Sequence, residues 1–257
     1  MTQVSAAPLA GRAVLVTGAS SGIGRSIALA AARAGADVVV TYHLNEDGAR
    51  DVESEIRALG RCAAVIQLDL SDELSVRAVG AGARRALGRL DVWVNNAGAD
   101  VLTGAAASLS AIEKLDRLLA VDLRGTMLAS WCAAEVLEAQ PDGGVIINMS
   151  WDHVLTGMPG LNPQLFAAVK GGVLAFSKSL ARSVAPRVRV NIVAPGWIET
   201  SFGTSLDDDL RRRIAESAPL RRWGTPDDVA GATVFLASPA AAFLTGQTIL
   251  VGGGVVM

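Results

Sequence analysis

Phe166 and Lys170 are spaced by one helical turn and follow a loop that carries a hydroxyl, a carboxylate and an imidazole. Residues four apart share one face of a helix, so we expect these two side chains to lie together. The loop before them contains Ser150, Asp152 and His153. A carboxylate can attract a cation, and an imidazole can donate a proton near neutral pH. The alternative for Asp152 and His153 is loop packing with no chemical role.

Short, apolar, β-branched runs alternate with longer segments of helical spacing, such as 23–34 and 128–137. The runs are Ala13–Thr17, Val38–Tyr42, Ala63–Leu68, Val92–Val94, Val145–Met149, Val188–Val193 and Thr248–Val251. Apolar strands separated by helices predict a parallel sheet covered on both faces. No break in composition marks a second domain, so residues 1–257 are predicted to form one α/β domain.

Bulk properties exclude several classes of protein. The 257 residues carry a net charge of −2, which argues against nucleic acid as a partner. No stretch approaches the roughly 18 uncharged apolar residues of a membrane span. The N-terminus lacks a basic segment followed by a long apolar run, which argues against a secretory signal. We expect a cytoplasmic protein with a small-molecule substrate, no membrane partner and no metal site.

A glycine-rich turn joins the first predicted strand to the first predicted helix. Glycines permit a tight turn and a close backbone approach, and a helix N-terminus offers free N–H groups to an anion. The turn therefore predicts a cradle for the pyrophosphate of a dinucleotide, with an ordinary tight turn as the alternative. Its candidate residues are Gly18, Ser20, Ser21, Gly22, Ile23 and Gly24.

The end of the second strand bears on the choice of cofactor. An NAD site usually places a carboxylate about 20 residues after the glycines, to bind the ribose hydroxyls. Thr41 and Tyr42 occupy that region here. A 2′-phosphate would not be repelled, and His43 or Arg25 could contact it. We therefore predict a preference for NADP(H), with NAD(H) as the alternative cofactor; His43 could also be an ordinary surface residue.

Four motifs in order carry a resemblance to the short-chain dehydrogenase/reductase family. They are the turn of the form Gly-x-x-x-Gly-x-Gly, the segment Leu68-Asp69-Leu70, the segment Asn95-Asn96-Ala97-Gly98, and the Pro-Gly segment that begins at Pro195. The resemblance covers most of the chain. It implies a Rossmann-type, doubly wound parallel sheet of about seven strands with helices on both faces.

The resemblance also implies roles for individual residues in binding a nicotinamide cofactor. Asp69 and Leu70 would contact the adenine, although Asp69 could instead cap a helix. Lys170 would bind the nicotinamide ribose hydroxyls. The remaining cofactor contacts would come from Asn96, Ala97, Gly98, Pro195, Gly196, Ile198 and Thr200. Members of the family mostly form dimers and tetramers, so we expect a homodimer or homotetramer.

The chain departs from the family's active site at several positions. The family's proton-donating Tyr is replaced by Phe166, and its Asn by Asp122. The expected Ser falls on Trp151 when counted from the strand before it and on His153 when counted back from Phe166. Ser150 is one step early but could still turn inward. The active site is therefore non-standard, with Lys170 as its one clean match.

Two further differences lie elsewhere. The chain has a single Tyr, Tyr42, at the adenosine end of the site, so no other phenol can replace the missing one. Gly252 stands where the family commonly has Asp, so any role of that Asp is absent. The segment of about 198–220 is expected to cover the substrate as a lid.

Three interpretations of the function follow. In the first, the protein reduces an iminium or hemiaminal carbon of a small molecule, such as a secondary metabolite. Hydride addition to that carbon gives a neutral amine and needs no tyrosine acid; Asp152 or Asp122 would attract the cation, and Trp151 could stack on it. In the second, a ketone reductase or alcohol dehydrogenase uses His153 or water as the proton donor. In the third, the protein binds a cofactor but is catalytically inactive.

Overall fold

A computed structural model describes residues 7–204 and 206–257. Seven parallel strands form one sheet in the order β3-β2-β1-β4-β5-β6-β7. They are β1 (Ala13–Val16), β2 (Asp37–Tyr42), β3 (Ala63–Gln67), β4 (Val92–Asn95), β5 (Gly144–Met149), β6 (Val188–Pro195) and β7 (Thr248–Val251). The prediction of a doubly wound parallel sheet is confirmed. Residues 1–6 of the predicted domain and residue 205 of the predicted lid lie outside the described residues.

Helices cover both faces of the sheet. They are α1 (Gly22–Arg33), α2 (Glu46–Ala58), α3 (Glu73–Leu87), α4 (Ala111–Leu118), α5 (Thr126–Glu138), α6 (Leu161–Val184), α7 (Ser201–Thr204), α8 (Asp208–Ser217) and α9 (Pro226–Ala237). None of the helices in the described part of the chain has the length and apolar character needed to span a bilayer. The predicted lid contains α7 and α8, and its role as a lid stays a prediction.

The central strands are buried on both faces, as expected for a parallel sheet. Leu15 of β1 lies in register between Val39 of β2 and Trp93 of β4, and all three are fully buried. One core cluster packs the sheet against α1 and α9, and a second packs it against α3, α5 and α6. Burial on both sides fixes the carboxyl ends of the strands, where open α/β sheets bind ligands.

A buried polar network fixes the end of β4. The Asn95 amide donates to Ser130 Oγ at 3.0 Å and to Asn148 Oδ1 at 2.9 Å, and Trp93 Nε1 donates to Asn95 Oδ1 at 2.8 Å. Asn148 in turn donates to Ser177 Oγ at 2.8 Å. Buried polar groups must find such partners, so the network holds β4 and β5 against α5 and α6.

A π-helical turn, Leu119–Gly125, joins α4 to α5. Such turns are rare and often occur at functional sites, because the extra residue re-aims a side chain. Here the turn carries Asp122, which is buried. The interruption positions this carboxylate beside the ends of the strands, at the centre of the candidate site.

Candidate active site

The glycine-rich turn has the form that a phosphate cradle needs. Gly18 and Gly22 have φ of +64° and +53°. A Cβ on Gly18 would lie 2.9 Å from Ala97 Cα, whereas the space beside Gly22 is open to 4 Å. Ser21, the N-cap of α1, makes no side-chain capping bond, so it leaves the first-turn N–H groups to an anion. The predicted cradle of Gly18, Ser20, Ser21, Gly22, Ile23 and Gly24 therefore fits a pyrophosphate.

The Asn-Asn-Ala-Gly segment is tied to this cradle. Thr17 Oγ1 accepts hydrogen bonds from Asn96 N at 2.9 Å and Ala97 N at 3.0 Å. The Asn96 amide donates to the carbonyl oxygens of Thr17 at 3.0 Å and Gly18 at 3.2 Å. Gly98 follows and is exposed. These bonds place the ends of β1 and β4 side by side, as a cofactor lying across them requires.

The adenosine end brings His43 and Asp69 together. His43 Nε2 lies 3.7 Å from Asp69 Oδ2, and both side chains are exposed. The Ser71 hydroxyl, which donates to Asp69 at 2.7 Å, lowers the pKa of that carboxyl. The N-cap of α3 is Asp72, which accepts from Leu74 N. Asp69 is therefore not the helix cap and stays available to a ligand.

Three other predicted contacts surround this end. Tyr42 is half-buried, and partial desolvation raises the pKa of its phenol. Arg25 pairs with Glu55 at 2.7 Å, so its guanidinium already has a carboxylate partner. Leu70 is buried against Gly125. Of the two side chains considered for a 2′-phosphate, His43 is the better placed, because its contact with Asp69 is 3.7 Å long and Arg25 already has a close carboxylate partner.

Lys170 and Asp122 form an ion pair. Lys170 Nζ lies 2.9 Å from Asp122 Oδ2, and the two side chains are 12% and 2% exposed. Asp122 Oδ1 accepts a hydrogen bond of 2.7 Å from Ala99 N. A Cβ on Gly98 would lie 2.8 Å from Oδ2, so the carboxylate lies directly beneath the Asn-Asn-Ala-Gly segment. The acid in the position of the family's Asn therefore offsets the charge of Lys170.

Phe166 lies on α6, one turn before Lys170. It packs into a small apolar cluster with Val101, Leu118 and Val169. The ring offers no proton, as the sequence indicates. Ser150 Oγ donates to the main-chain oxygen of Lys170 at 2.9 Å. This hydroxyl joins the end of β5 to α6, and its catalytic role stays a prediction.

Asp152 and His153 form a hydrogen-bonded pair. His153 Nδ1 lies 2.6 Å from Asp152 Oδ1, and the two side chains are 10% and 0% exposed. Burial raises the pKa of the Asp152 carboxyl, and the hydrogen bond with His153 opposes that rise. The pair therefore retains a proton more readily than an exposed carboxylate does.

The second oxygen of Asp152 lies against two glycines. Asp152 Oδ2 is buried and has no hydrogen-bond partner among the described residues. A Cβ on either Gly196 or Gly252 would collide with it. Gly252 is the position where the resembled family commonly has Asp. Gly252, at the end of β7, has no side chain. The Asp152 carboxylate occupies the space that this leaves open.

We expect Gly252→Ala to destabilise the protein by about 1–3 kcal/mol, the cost of overpacking a site that the Asp152 carboxyl already fills. The added methyl group would enter the space of Asp152 Oδ2, and His153 and Gly196 confine that carboxyl on its other sides. Urea denaturation measures the change. Gly231→Ala in α9 is the matched control, because no atom lies within 4 Å of its added Cβ. Equal stability of Gly252→Ala and wild type would show that Asp152 is free to move.

The segment from Pro195 to Thr200 lies beside the Asp152–His153 pair. Pro195 ends β6, and Gly196 N donates to Val251 O at 3.0 Å. Ile198 is buried and bridges to Gly224, and Thr200 is half-buried. These contacts hold the segment at the carboxyl end of the sheet, and its contact with a cofactor stays a prediction.

A row of aromatic rings extends from the loop to the lid segment. Trp151 stacks on His153, with centroids 5.0 Å apart and planes at 24°. Trp197 meets His153 edge-on at 6.1 Å and Trp223 at 5.5 Å. The Arg211 guanidinium of α8 lies 5.7 Å from the centre of the Trp223 ring. The sequence interpretation assigned no role to Trp197 or Trp223, because no spacing rule brings these distant positions together.

The chain is similar to several known proteins over nearly its whole length. Residues 18–256 match the family model described as enoyl-(acyl carrier protein) reductase. An uncharacterised oxidoreductase of Methylorubrum extorquens is 39% identical, over 96% of this chain and 98% of its own length. The 3-oxoacyl-[acyl-carrier-protein] reductase of Staphylococcus aureus is 37% identical, over 96% and 98%.

Two solved structures share the fold. A Sinorhizobium meliloti protein, provisionally named a short-chain alcohol dehydrogenase, superimposes with a TM-score of 0.88 at 35% identity over 98% of both chains. A 7α-hydroxysteroid dehydrogenase, solved with NADH and 7-oxo glycochenodeoxycholic acid, has a TM-score of 0.89 at 31% identity, over 100% of this chain and 98% of its own. The chain therefore belongs to the short-chain dehydrogenase/reductase family and is an oxidoreductase of that family.

Proposed function

We propose that this oxidoreductase uses NADP(H) to reduce an iminium or hemiaminal carbon of a small molecule, without a tyrosine acid. The observation that carries the proposal is the Lys170–Asp122 ion pair one helical turn from Phe166. A ketone becomes an oxyanion when it accepts hydride, so it needs a proton or a positive charge nearby. Phe166 supplies no proton, and Asp122 offsets the positive charge.

The charge of the site favours a cationic substrate. Lys170 and Asp122 cancel, and Asp152 adds a second carboxylate whose partner, His153, carries a charge only when protonated. The net charge of these four side chains is therefore zero when His153 is protonated and Asp152 is ionised. It is negative when the Asp152–His153 pair has lost that proton. Opposite charges attract strongly where water is excluded, so an iminium is better matched to this pocket than an oxyanion is.

The aromatic row supports the same substrate class. Trp151 and Trp197 flank His153, and both residues are half-buried. The faces of tryptophan rings attract cations, by about 0.5–2 kcal/mol each. A planar iminium of a cyclic amine would gain from such contact.

NADP(H) would be held by the chain's own residues along the carboxyl end of the sheet. The cradle from Gly18 to Gly24 would bind the pyrophosphate, and Lys170 has further N–H groups for the ribose hydroxyls. Gly196, Ile198 and Thr200 would border the nicotinamide. When bound, the nicotinamide supplies the hydride.

The proposal is tested with purified protein, NADPH, and the cation N-methyl-3,4-dihydroisoquinolinium in comparison with neutral cyclic ketones. We expect NADPH oxidation with the cation at a kcat/KM at least tenfold above that with the ketones. Product analysis should show the saturated amine. Efficient reduction of ketones with no hydride transfer to the cation would contradict the proposal.

The preference for NADP(H) is tested at His43. We expect His43→Ala to weaken NADPH binding about fivefold to tenfold, which is about 1 kcal/mol for an exposed charged contact. NADH, which has no 2′-phosphate, serves as the internal control and should bind unchanged. Fluorescence titration measures both dissociation constants. Equal losses for both cofactors, or no loss, would leave His43 as an ordinary surface residue.

Ketone reduction with His153 as the proton donor is the second candidate. The 2.6 Å contact between His153 and Asp152 favours it, because a carboxylate partner orients an imidazole for proton transfer. In that case, His153→Ala abolishes the turnover of ketones. Unchanged ketone turnover in this variant excludes the candidate. The third interpretation, an inactive protein, is disfavoured by the oxidoreductase relatives.

We also propose that the protein self-associates through α5 and α6. Trp131 of α5 is 46% exposed and meets Phe176 of α6 edge-on, with centroids 5.7 Å apart. Exposed aromatic surface of this kind is typical of protein interfaces. Sedimentation equilibrium should show a dimer or tetramer, and a monomer at all concentrations would overturn the proposal.

A further inference from the structure

We propose that the Asp152–His153 pair is an acid catalyst that dehydrates a hemiaminal to the iminium ion before reduction. This inference rests on the proposed function and adds the form in which the substrate arrives. Direct hydride displacement of a hydroxyl group is unfavourable, because hydroxide is a poor leaving group unless it is protonated. A site that receives hemiaminals therefore needs a proton donor, even though iminium reduction itself does not.

The geometry of the pair suits this role. Nδ1 faces the Asp152 carboxyl, which leaves Nε2 as the ring nitrogen that would donate the proton to a substrate. No residue whose side chain the structure describes makes a hydrogen bond to Nε2. Trp151 and Trp197 contact the ring on different sides and restrict its rotation.

Its location also fits. Asp152 lies directly against Gly196, within the segment predicted to border the nicotinamide. His153 is in contact with Trp197 from the same segment. His153, the proposed proton donor, therefore lies on the same side of the site as the position where a reducible carbon would be held. A substrate nitrogen cation would gain from the same aromatic rings.

The proposed step balances without a further reagent. The carbon–oxygen bond of the hemiaminal breaks, and its electron pair leaves on the oxygen, which takes the proton from His153 Nε2 to form water. The nitrogen lone pair forms the carbon–nitrogen double bond. His153 then regains a proton from solvent. Reduction of the iminium carbon would be a separate step, for which a nicotinamide cofactor held at the carboxyl end of the sheet would supply the hydride.

Asp152 acts in this scheme as a positioning residue. Its buried carboxyl contacts His153, and Gly196 and Gly252 leave the space that lets this carboxyl approach the ring. Its carboxylate lies 2.6 Å from Nδ1 and orients the ring that donates the proton. The variant Asp152→Asn keeps the volume of the side chain but removes its charge. It therefore distinguishes the positioning of His153 from simple packing.

The test begins with the protein in the absence of cofactor. The hemiaminal of N-methyl-3,4-dihydroisoquinolinium, formed in alkali, is mixed into neutral buffer in a stopped-flow instrument, and the absorbance of the iminium ion is followed. We expect wild type to accelerate dehydration at least tenfold over buffer. Asp152→Asn and His153→Gln should lose most of that acceleration. Thr156→Ala, an exposed substitution in the same loop, is the matched control and should retain it.

A second measurement compares two rates in each variant, namely dehydration and NADPH-dependent reduction of the preformed cation. The ratio of dehydration to reduction should fall at least tenfold in Asp152→Asn and His153→Gln. Equal losses in both rates would overturn the inference, because they indicate a structural role. Absence of any acceleration by wild type would overturn it as well. If wild type dehydrates the hemiaminal but never reduces the cation, the proposed function fails and the acid catalyst stands.

Discussion

Replacing Asp122 by Ala is expected to destabilise the folded protein by about 3 kcal/mol. The change leaves the Lys170 ammonium without its carboxylate in a site where the lysine side chain is only 12% exposed. Removing one partner of a buried ion pair costs about 3–5 kcal/mol, because the remaining charge has lost its compensation. The partial exposure of Lys170 places the expectation at the lower end of that range. Urea denaturation measures it.

The control is an ion pair of similar length on the surface. Arg212 Nη2 and Asp209 Oδ1 lie 2.6 Å apart on α8, with both side chains more than 60% exposed. Asp209→Ala should change the free energy of unfolding by less than about 0.5 kcal/mol, because water screens such pairs. If Asp122→Ala and Asp209→Ala have the same effect, Asp122 is not a significant partner of Lys170.

Asp122→Asn is expected to alter substrate preference. The amide keeps the oxygen that accepts from Ala99 N, but it removes one negative charge from the pocket. For a cation within about 8 Å and an effective dielectric constant of about 20, that charge is worth roughly 2 kcal/mol. We expect kcat/KM for the iminium substrate to fall about thirtyfold, with neutral ketones little affected. An equal loss for both substrates would argue against electrostatic selection.

The sheet and the cofactor cradle could be predicted from the sequence because they depend on local patterns. Apolar runs such as Val38–Tyr42 are long enough to identify a buried strand, and the observed β2 (Asp37–Tyr42) differs by one residue. Gly18 and Gly22 adopt the positive φ values that only glycine reaches without strain. Each of these signals is contained in a few consecutive residues, so one sequence suffices.

The polar contacts of the site could not be predicted in the same way, because they join distant segments. The sequence identified Asp122 and Lys170 as individual residues, but their ion pair depends on a π-helical turn with no clear signal in the sequence. Gly252 was interpreted only as the loss of a family carboxylate. In the structure, its missing side chain makes room for Asp152 from a loop about 100 residues earlier.

Restoring the phenol with Phe166→Tyr should create efficient ketone reduction only when Asp122 is also changed to Asn. We expect the single variant to raise kcat/KM for a neutral cyclic ketone less than tenfold. The double variant should raise it about 100-fold, the lower end of what a positioned general acid contributes. The reason is the charge of Lys170, which lowers the proton affinity of a nearby phenol unless Asp122 offsets it.

Phe176→Tyr is the control for a phenol added elsewhere on α6, and it should leave ketone reduction unchanged. Steady-state rates for the two single variants and the double variant form a double-mutant cycle, whose interaction energy should be at least 1.4 kcal/mol for a tenfold synergy. If Phe166→Tyr alone equals the double variant, Asp122 does not oppose the phenol and the charge argument is wrong. If neither variant gains activity, the missing hydroxyl is not what limits ketone reduction, and the shape of the pocket excludes ketones instead.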